Sequence, residues 1–543
     1  MNSSPPQEGY VRSLTRRLES IPAPLNLFAV LTNNGQNPNT VLLESAEPSS
    51  RKTQRSLLVT SAALRVTCRG GLVEIVALNS NGQSLLPFLR STTEQFHHRD
   101  KLDGFELVFV RASDELSDAE RLHAPSPLSV LRSIATRIQL DAASPPEAIL
   151  LVGVFAYDLV AQFESLPEPT DSATSPGNDV PDYEFLLADQ MIVIDHLKQH
   201  AEAIINVFGG QNAESNYYSA LNAISKITET AQQLALQPKA ELAFPHSRSN
   251  ALADVAINAD DATFAATVAA MKEHIVAGDV FQIVPSRTFS IACRDPLMAY
   301  ASLRQLNPSP YLFYVNFGEF ALFGASPESA VKVDGKRRTV EISPIAGTRS
   351  RGLKPDGTLD ADLDSRIEAE LRLDEKENAE HMMLVDLARN DVARVAKSGT
   401  RQVVDLARVD RYSHVMHLVS RVQGILRDDL DALHAYQASM NMGTLTGAPK
   451  IRAMQLIRKF EGTRRGHYGG AVGYVRGDGS LDTAIIIRSA LVQNGMAHVR
   501  AGAGVVHDSV PQLEADETRR KAEAVLRAIA RANALFVGDA RHG

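Results

Sequence analysis

Up to about residue 160 the chain alternates apolar and polar positions, or runs short apolar blocks between turn residues, in NTVLLES, RSLLVTSAALRVTCRGGLVEIVAL, KLDGFELVFVRAS and PEAILLVGVFAYDLV. Such runs, rich in Val, Leu, Ile and Phe, predict the strands of a mostly antiparallel sheet. A helical stretch interrupts them near residues 126–140, and after one more strand pair a helix is predicted over 213–236. The segment 167–182, PEPTDSATSPGNDVPD, predicts an exposed loop, and the polar, irregular segment 237–261 marks the main boundary. From Thr263 the texture changes to a helix reaching about Ala277, then FQIVPSRTFSIA, then a hairpin pattern PYLFYVNFGEFALFG. Strands and helices mix here without the regular alternation of a doubly wound sheet, so the expected class is α+β. Two domains are expected, 20–236 and 262–530.

Composition narrows the functional classes. A chain of 543 residues that is 44% hydrophobic and 22% charged has material for a large core and is ordinary globular protein. Lys and Arg number 56 against 64 Asp and Glu, a formal charge of -8, and no basic block offsets it, which argues against nucleic acid as a partner. No run of about 18 apolar residues occurs. The N-terminus lacks the apolar stretch of a signal peptide, so a soluble, cytoplasmic protein with no membrane partner is expected. Cys68 and Cys293 are too few for a disulfide framework or a four-cysteine zinc site; their apolar flanks predict core positions in a reducing compartment.

The first candidate chemistry is a pair of carboxylates, Glu377 and Glu380, in DEKENAEHMMLVDLARNDVARV, a helix pattern without Gly or Pro. A spacing of three puts both on one face, and Met383, Leu384 and Leu387 continue that face from Glu380 as an apolar stripe. A second pair, Glu514 and Glu517, opens the helix pattern DSVPQLEADETRRKAEAVLRAIARA, where Ser509 with Gln512 resembles a capping box and Pro511 falls in the first turn. The plainer reading of each pair is a solvated helix face, with Glu517 ion-paired to Lys521 four residues on. Two such pairs facing each other would make a hard oxygen site suited to Mg²⁺.

Glycine clusters occur in PIAGTR (344–349), MGTLTGAPK (442–450), YGGAVGY (468–474) and RAGAGVV (500–506). None is a nucleotide-binding loop. Each reads as a tight turn, or as backbone N–H groups kept accessible for a ligand carboxylate. Arg488, in the apolar strand pattern LDTAIIIRSALV, needs an anionic partner, either a structural carboxylate or a bound one. His414 and His417, three apart in a strand-like run, point to opposite faces and so form no joint metal site; one of them is a candidate acid/base group.

In order along the chain, PIAGTR, DEKENAEHMMLVDLARND, HVMHLVSRV, GTLTGAPKIRAM, RRGHYGGAVGY, DTAIIIRS and AGAGVVHDSVPQLEADETRRKA resemble the chorismate-utilising enzyme family, and within it the anthranilate synthase branch. With LLES and NPSPY nearer the N-terminus, the resemblance covers about residues 40–530. It implies a two-domain α+β fold with antiparallel β-sheets packed face to face and helices outside, an N-terminal domain holding a tryptophan feedback site, and a catalytic domain binding chorismate. By motif it assigns Mg²⁺ to Glu380 and Glu517 directly, with Glu377 and Glu514 assisting. It assigns substrate carboxylate to the backbone of Gly502, Ala503 and Gly504, the enolpyruvyl arm to Tyr468 and Arg488, and the ring pocket to Gly347, Thr348 and Thr444, the last counted with the catalytic residues. Glu328 is implied as the acid that protonates the departing 4-hydroxyl and His417 as the group assisting loss of pyruvate.

Two positions separate the branches of the family. Aminodeoxychorismate synthases carry a lysine where this chain has Ala346, and isochorismate and salicylate synthases carry one near Gln282, so the resemblance implies an external nucleophile, ammonia. Neither cysteine has the setting of an amidotransferase nucleophile, which implies a separate glutamine amidotransferase subunit and a heterotetrameric complex. The tryptophan site would comprise Glu44, Ser45, Pro310, Tyr311, Leu312, Val472 and Tyr474; related bacterial chains have Met in place of Leu312. The alternatives are an aminodeoxychorismate synthase component I or a non-catalytic receptor for aromatic amino acids.

Overall fold

Two long strands, Arg55–Arg69 and Tyr183–Asp195, run antiparallel from Arg55 opposite Asp195 to Cys68 opposite Tyr183. The computed structural model describes residues 6–45, 54–142, 144–170, 177–236, 244, 252, 254–354, 356–412 and 415–539. His414 and most of the predicted boundary segment lie outside these. Between Val59 and Leu64 the register of the long pair shifts, and such irregularities bend and twist a ribbon. The two ends of the pair therefore continue into two different stacks of strands.

At the Arg55 end the sheet passes through Thr40–Glu44, Tyr311–Asn316, Ala321–Ser326, Ser489–Gln493, Met496–Gly502 and Ser286–Ala292. From the Tyr183 end it passes through Leu150–Phe155, Ala471–Arg476, Leu481–Ile485, Ser329–Asp334, Thr339–Ile342 and Val415–Ile425. Val41, Phe313 and Leu322 from the first stack share one apolar core with Val152, Leu186 and Val472 from the second, so the sheets pack face to face. Helices 80–92, 128–137 and 375–395 cover one outer face; helices 213–236, 296–306 and 511–539 cover another. This is the α+β arrangement expected from the sequence. Strand pairs from the two halves of the chain, Thr40–Glu44 with Tyr311–Asn316 and Leu150–Phe155 with Ala471–Arg476, make the sheets continuous across the predicted boundary.

The predicted helices appear as Leu128–Arg137, Ala213–Leu236 and Asp261–Val276, and both cysteines are buried. Two local expectations fail. The run around Arg488 is not one strand but Leu481–Ile485 and Ser489–Gln493, with Arg488 in the break at φ 51°. Periodicity does not reveal such a left-handed break when the flanking residues are apolar. The Ser509–Gln512 capping box does not form either: Ser509 Oγ accepts from Val506 N, and Gln512 donates to Asp516, although Pro511 does open the helix. Among the described residues no helix is long and apolar enough to cross a membrane.

Candidate active site

Helix Glu375–Val395 starts at Asp374, whose side chain accepts from the Glu377 N–H at 3.0 Å, and continues through good helix formers. Leu384, Val385, Ala388, Val392 and Val395 are buried against the sheet. The fully buried His381 lies 2.6 Å by Nε2 from Ser420 Oγ on strand Val415–Ile425, which fixes the roll of the helix. That roll presents Glu377 and Glu380 to the interior. Glu380 Oε1 accepts from Gln282 Nε2 at 3.0 Å. Burial raises the pKa of Glu380, the charges of Glu377 and Glu517 raise it further, and Gln282 and Lys521 oppose the rise. A carboxylate on the second helix thus acts directly on one on the first.

On helix Pro511–Asp539, Glu514 is buried and its pKa is raised, by burial first and by Glu517, against a hydrogen bond from Ser509. Glu517 pairs with Lys521 at 2.6 Å, so the ion pair of the plainer sequence reading exists. Lys521 Nζ also donates to the Gly502 carbonyl at 3.1 Å, tying this face of the helix to the glycine run. A Cβ on Gly502 would stand 2.8 Å from Tyr468 Oη, and one on Gly504 2.8 Å from Gln282 Nε2. At Gly502 the Pro285 carbonyl, 2.6 Å from such a Cβ, requires glycine, whereas at Gly504 a side chain would displace only the end of Gln282. The Ala503 N–H is committed to Pro285 O at 3.1 Å, so the run does not offer all three of its N–H groups to a ligand.

The third wall is strand Ile345–Ser350, paired with Val415–Ile425 with a register shift between Ala346 and Thr348. Gly347 sits at that shift with φ 66°, where a side chain would be strained. Its carbonyl and Thr348 Oγ1 lie 3.3 Å and 3.0 Å from His417 Nδ1. Burial lowers the pKa of His417, the Gly347 carbonyl opposes this, the charge of Arg488 lowers it again and that of Asp410 raises it, the balance favouring the neutral imidazole. Arg349 holds Glu377 at 2.8 Å and Asp374 at 2.7 Å. Arg488 donates to Lys521 O at 3.1 Å; burial lowers its pKa and the charge of Glu517 opposes that. Thr444 Oγ1 donates to Glu328 Oε1 at 3.1 Å in a small pocket shared with Leu384, Leu387 and Met442 on the same side of helix Glu375–Val395. Glu377, Glu380 and Glu517 thus interact with one another, Lys521 links Glu517 to the Gly502 carbonyl, and Glu328 and Thr444 pair with each other in the small pocket beside Leu384, one turn on from Glu380.

A family model described as chorismate binding enzyme matches residues 89–527. The chain belongs to this family. It is 52% identical to anthranilate synthase component 1 of Vibrio cholerae over 491 residues, 90% of this chain and 91% of the relative. It is 49% identical to that of Escherichia coli over 502 residues, 92% and 93% of the two chains. The crystal structure of anthranilate synthase component I from Streptococcus pneumoniae superposes with TM-score 0.62 at 28% identity, covering 88% of this chain and 93% of that one. The menaquinone-specific isochorismate synthase of Escherichia coli shares the fold, with TM-score 0.63 at 18% identity over 97% and 96% of the two chains.

The four carboxylates of this chorismate-binding enzyme offer oxygen donors of the type a hard divalent cation takes, and their mutual repulsion favours one. Among the described residues no three His, Cys, Asp or Glu side chains stand close enough to hold an ion in this arrangement, in which Glu377 is paired with Arg349 and Glu517 with Lys521.

A separate cavity of about 350 Å³ contains Glu44, Ser45, Pro310, Tyr311, Leu312, Val472 and Tyr474 in its wall. Glu44 is buried and accepts from Tyr300 Oη at 2.6 Å, with Arg304 Nε 3.2 Å away. Tyr468 is not on the strand that lines this cavity but three residues before it, in the turn preceding Ala471–Arg476. The sequence reading missed Tyr300 and Arg304 beside this cavity, and Arg349, Glu461, Arg465 and Arg500 around the active site. Only Glu461 carried a signal: an acidic residue ending a helix before Gly462 opposes the helix dipole.

Proposed function

We propose that the chain is an anthranilate synthase component I, converting chorismate and ammonia to anthranilate, pyruvate and water. The observation that carries this reading is the meeting of the Glu377/Glu380 and Glu514/Glu517 helices beside Tyr468, Arg488 and a neutral His417, in a chain about half identical to relatives of that name. When bound, Mg²⁺ would neutralise the ring carboxylate and orient the ring; Glu380 and Glu517 would hold it, with Glu377 and Glu514 assisting. Arg488 and Tyr468 would take the enolpyruvyl arm, and Gly347, Thr348, Thr444 and the Gly502–Gly504 run would border the ring and its carboxylate.

In the first step ammonia attacks C2 and the double bonds shift. The 4-hydroxyl leaves as water with a proton from Glu328, which Thr444 orients. In the second step His417 takes the C2 proton as the C3–O bond breaks; the ring becomes aromatic and the arm leaves as the enolate of pyruvate, which becomes pyruvate on taking a proton at its methylene carbon. A neutral imidazole, oriented through Nδ1 by Thr348, suits that role. Ala346 and Gln282 supply no amine or strong base, which favours an external nucleophile over the aminodeoxychorismate reading. Ammonia would come from a glutamine amidotransferase subunit. The second cavity is of the size that takes an amino acid with a large side chain, and we assign it to tryptophan as feedback inhibitor. The test is the isolated chain with chorismate, ammonium salt and Mg²⁺, the products identified by mass. Anthranilate is expected, while 4-amino-4-deoxychorismate or unchanged substrate would overturn the reading.

A further inference from the structure

Behind Tyr468 and the glycine run lies a knot of buried charge that the reaction scheme leaves unused. Glu461, the last residue of helix Lys450–Glu461, is 5% exposed at its side chain, and Arg465 and Arg500 are 1% and 7% exposed. A carboxylate at a helix C-terminus opposes the helix dipole, and burial adds a desolvation cost, so its presence there requires strong partners. It has them: Glu461 accepts from the Ser286 N–H and Oγ, both at 2.8 Å, from Arg465 Nη2 at 2.6 Å and Nε at 2.9 Å, and from Arg500 Nη2 at 2.7 Å. Burial alone would raise the pKa of Glu461, but the two guanidiniums hold it lowered, so it is a carboxylate.

The remaining donors of the knot reach backbone that borders the proposed substrate pocket. Arg465 donates to Leu445 O at 2.7 Å, next to Thr444, and to Val284 O at 2.6 Å, two residues beyond Gln282. Its guanidinium lies 5.7 Å from the ring centre of Tyr468. Arg500 donates to Ser286 Oγ at 2.8 Å, and Ser286 is the register partner of Gly502. Three separate segments are thus pinned to one carboxylate. Two guanidiniums against that carboxylate also leave an excess of buried positive charge on the side where a substrate carboxylate is proposed to lie.

We propose that Glu461, with Arg465 and Arg500, is the positioning unit of the chorismate pocket: it touches no substrate, but sets Tyr468, the Gly502–Gly504 run and the Thr444 loop at binding distance and biases that wall toward an anion. This rests on the function proposed above and adds residues to that site.

The test uses the full-length chain with ammonia as nitrogen source, comparing wild type with Glu461→Gln, Arg500→Met and Arg500→Lys. The expected result is a rise of about tenfold or more in KM for chorismate in Glu461→Gln and Arg500→Met, little change in KM for ammonia, and partial recovery in Arg500→Lys relative to Arg500→Met. Thermal melting accompanies the kinetics. Folded variants with wild-type KM for chorismate overturn the proposal, as does an equal rise in both KM values. If Glu461→Gln does not fold, the Arg500→Lys and Arg500→Met pair decides. A wild type inert to chorismate removes the proposed function and this inference with it, whereas an active wild type with unaffected variants removes this inference alone.

Discussion

Glu380 and His381 are neighbours in sequence with opposite duties, one facing the pocket and the other anchoring the helix to Ser420. If Glu380 is a metal ligand, Glu380→Gln should keep the hydrogen-bonding shape and the fold, by circular dichroism, yet lose at least about a hundredfold in kcat/KM. Turnover near wild type would remove it from the site. His381 gives a stability prediction. Burial lowers its pKa from 6.5 to about 4. The unfolded chain binds this proton below about pH 6.5 while the folded one refuses it until about pH 4, so the contribution is complete above pH 6.5 and is lost as pH falls. The loss should approach about 1.4 kcal/mol per pH unit. Urea unfolding at a series of pH values should show this acid limb in wild type and a flatter one in His381→Gln; identical limbs would contradict the assignment. His417 adds a kinetic prediction: His417→Ala should slow pyruvate loss more than amination, so quenched reactions should contain the aminated intermediate. Both steps slowing alike would count against its role. Glu380 was legible in the sequence because an apolar stripe at helical spacing continues its face. Glu461 showed only its unfavourable place at a helix end; apart from Arg465 four residues on, its partners Ser286 and Arg500 come from distant segments that local pattern does not reveal.

Helices Glu375–Val395 and Pro511–Asp539 were each legible from periodicity, but their meeting was not, since it depends on how both pack on the shared sheets. The ion pair of Glu517 with Lys521 and the proximity of Glu517 to Glu380 coexist, so the plain and the functional readings of that helix were not exclusive. Arg488 shows the converse: a run of apolar residues concealed a left-handed break that turns the guanidinium toward Lys521. Strand Ala471–Arg476 is the element through which inhibition would act. It lines the second cavity with Val472 and Tyr474 and begins three residues after Tyr468. Ser45→Phe should fill that cavity and give an active enzyme resistant to tryptophan. Coupling of this kind is typically worth about 1–3 kcal/mol, and chorismate must weaken tryptophan binding by the same factor. Saturating tryptophan without effect on wild type, or full inhibition of Ser45→Phe, would remove the regulatory assignment while leaving the catalytic one intact.

At the scale of the whole molecule, the α+β class and most elements could be read from the strand and helix periods. The weaving of the halves could not: Thr40–Glu44 pairs with Tyr311–Asn316 some 270 residues away, a distance over which local pattern carries no information. That weaving places the second cavity and the candidate active site on the same continuous sheets. The isolated chain should use ammonia and be inert with glutamine until an amidotransferase subunit is added; glutamine use by the chain alone would contradict the partner assignment. The central claim, that carboxylates from two helices act together on one metal-bound substrate, is tested most directly by chorismate turnover against Mg²⁺ concentration in wild type, Glu380→Gln, Glu517→Gln and the double variant. The account predicts saturable Mg²⁺ dependence in wild type, a large loss in each single variant, and a double variant little worse than either, since residues acting as one unit are not additive. Metal-independent turnover, or losses that simply multiply, would contradict it.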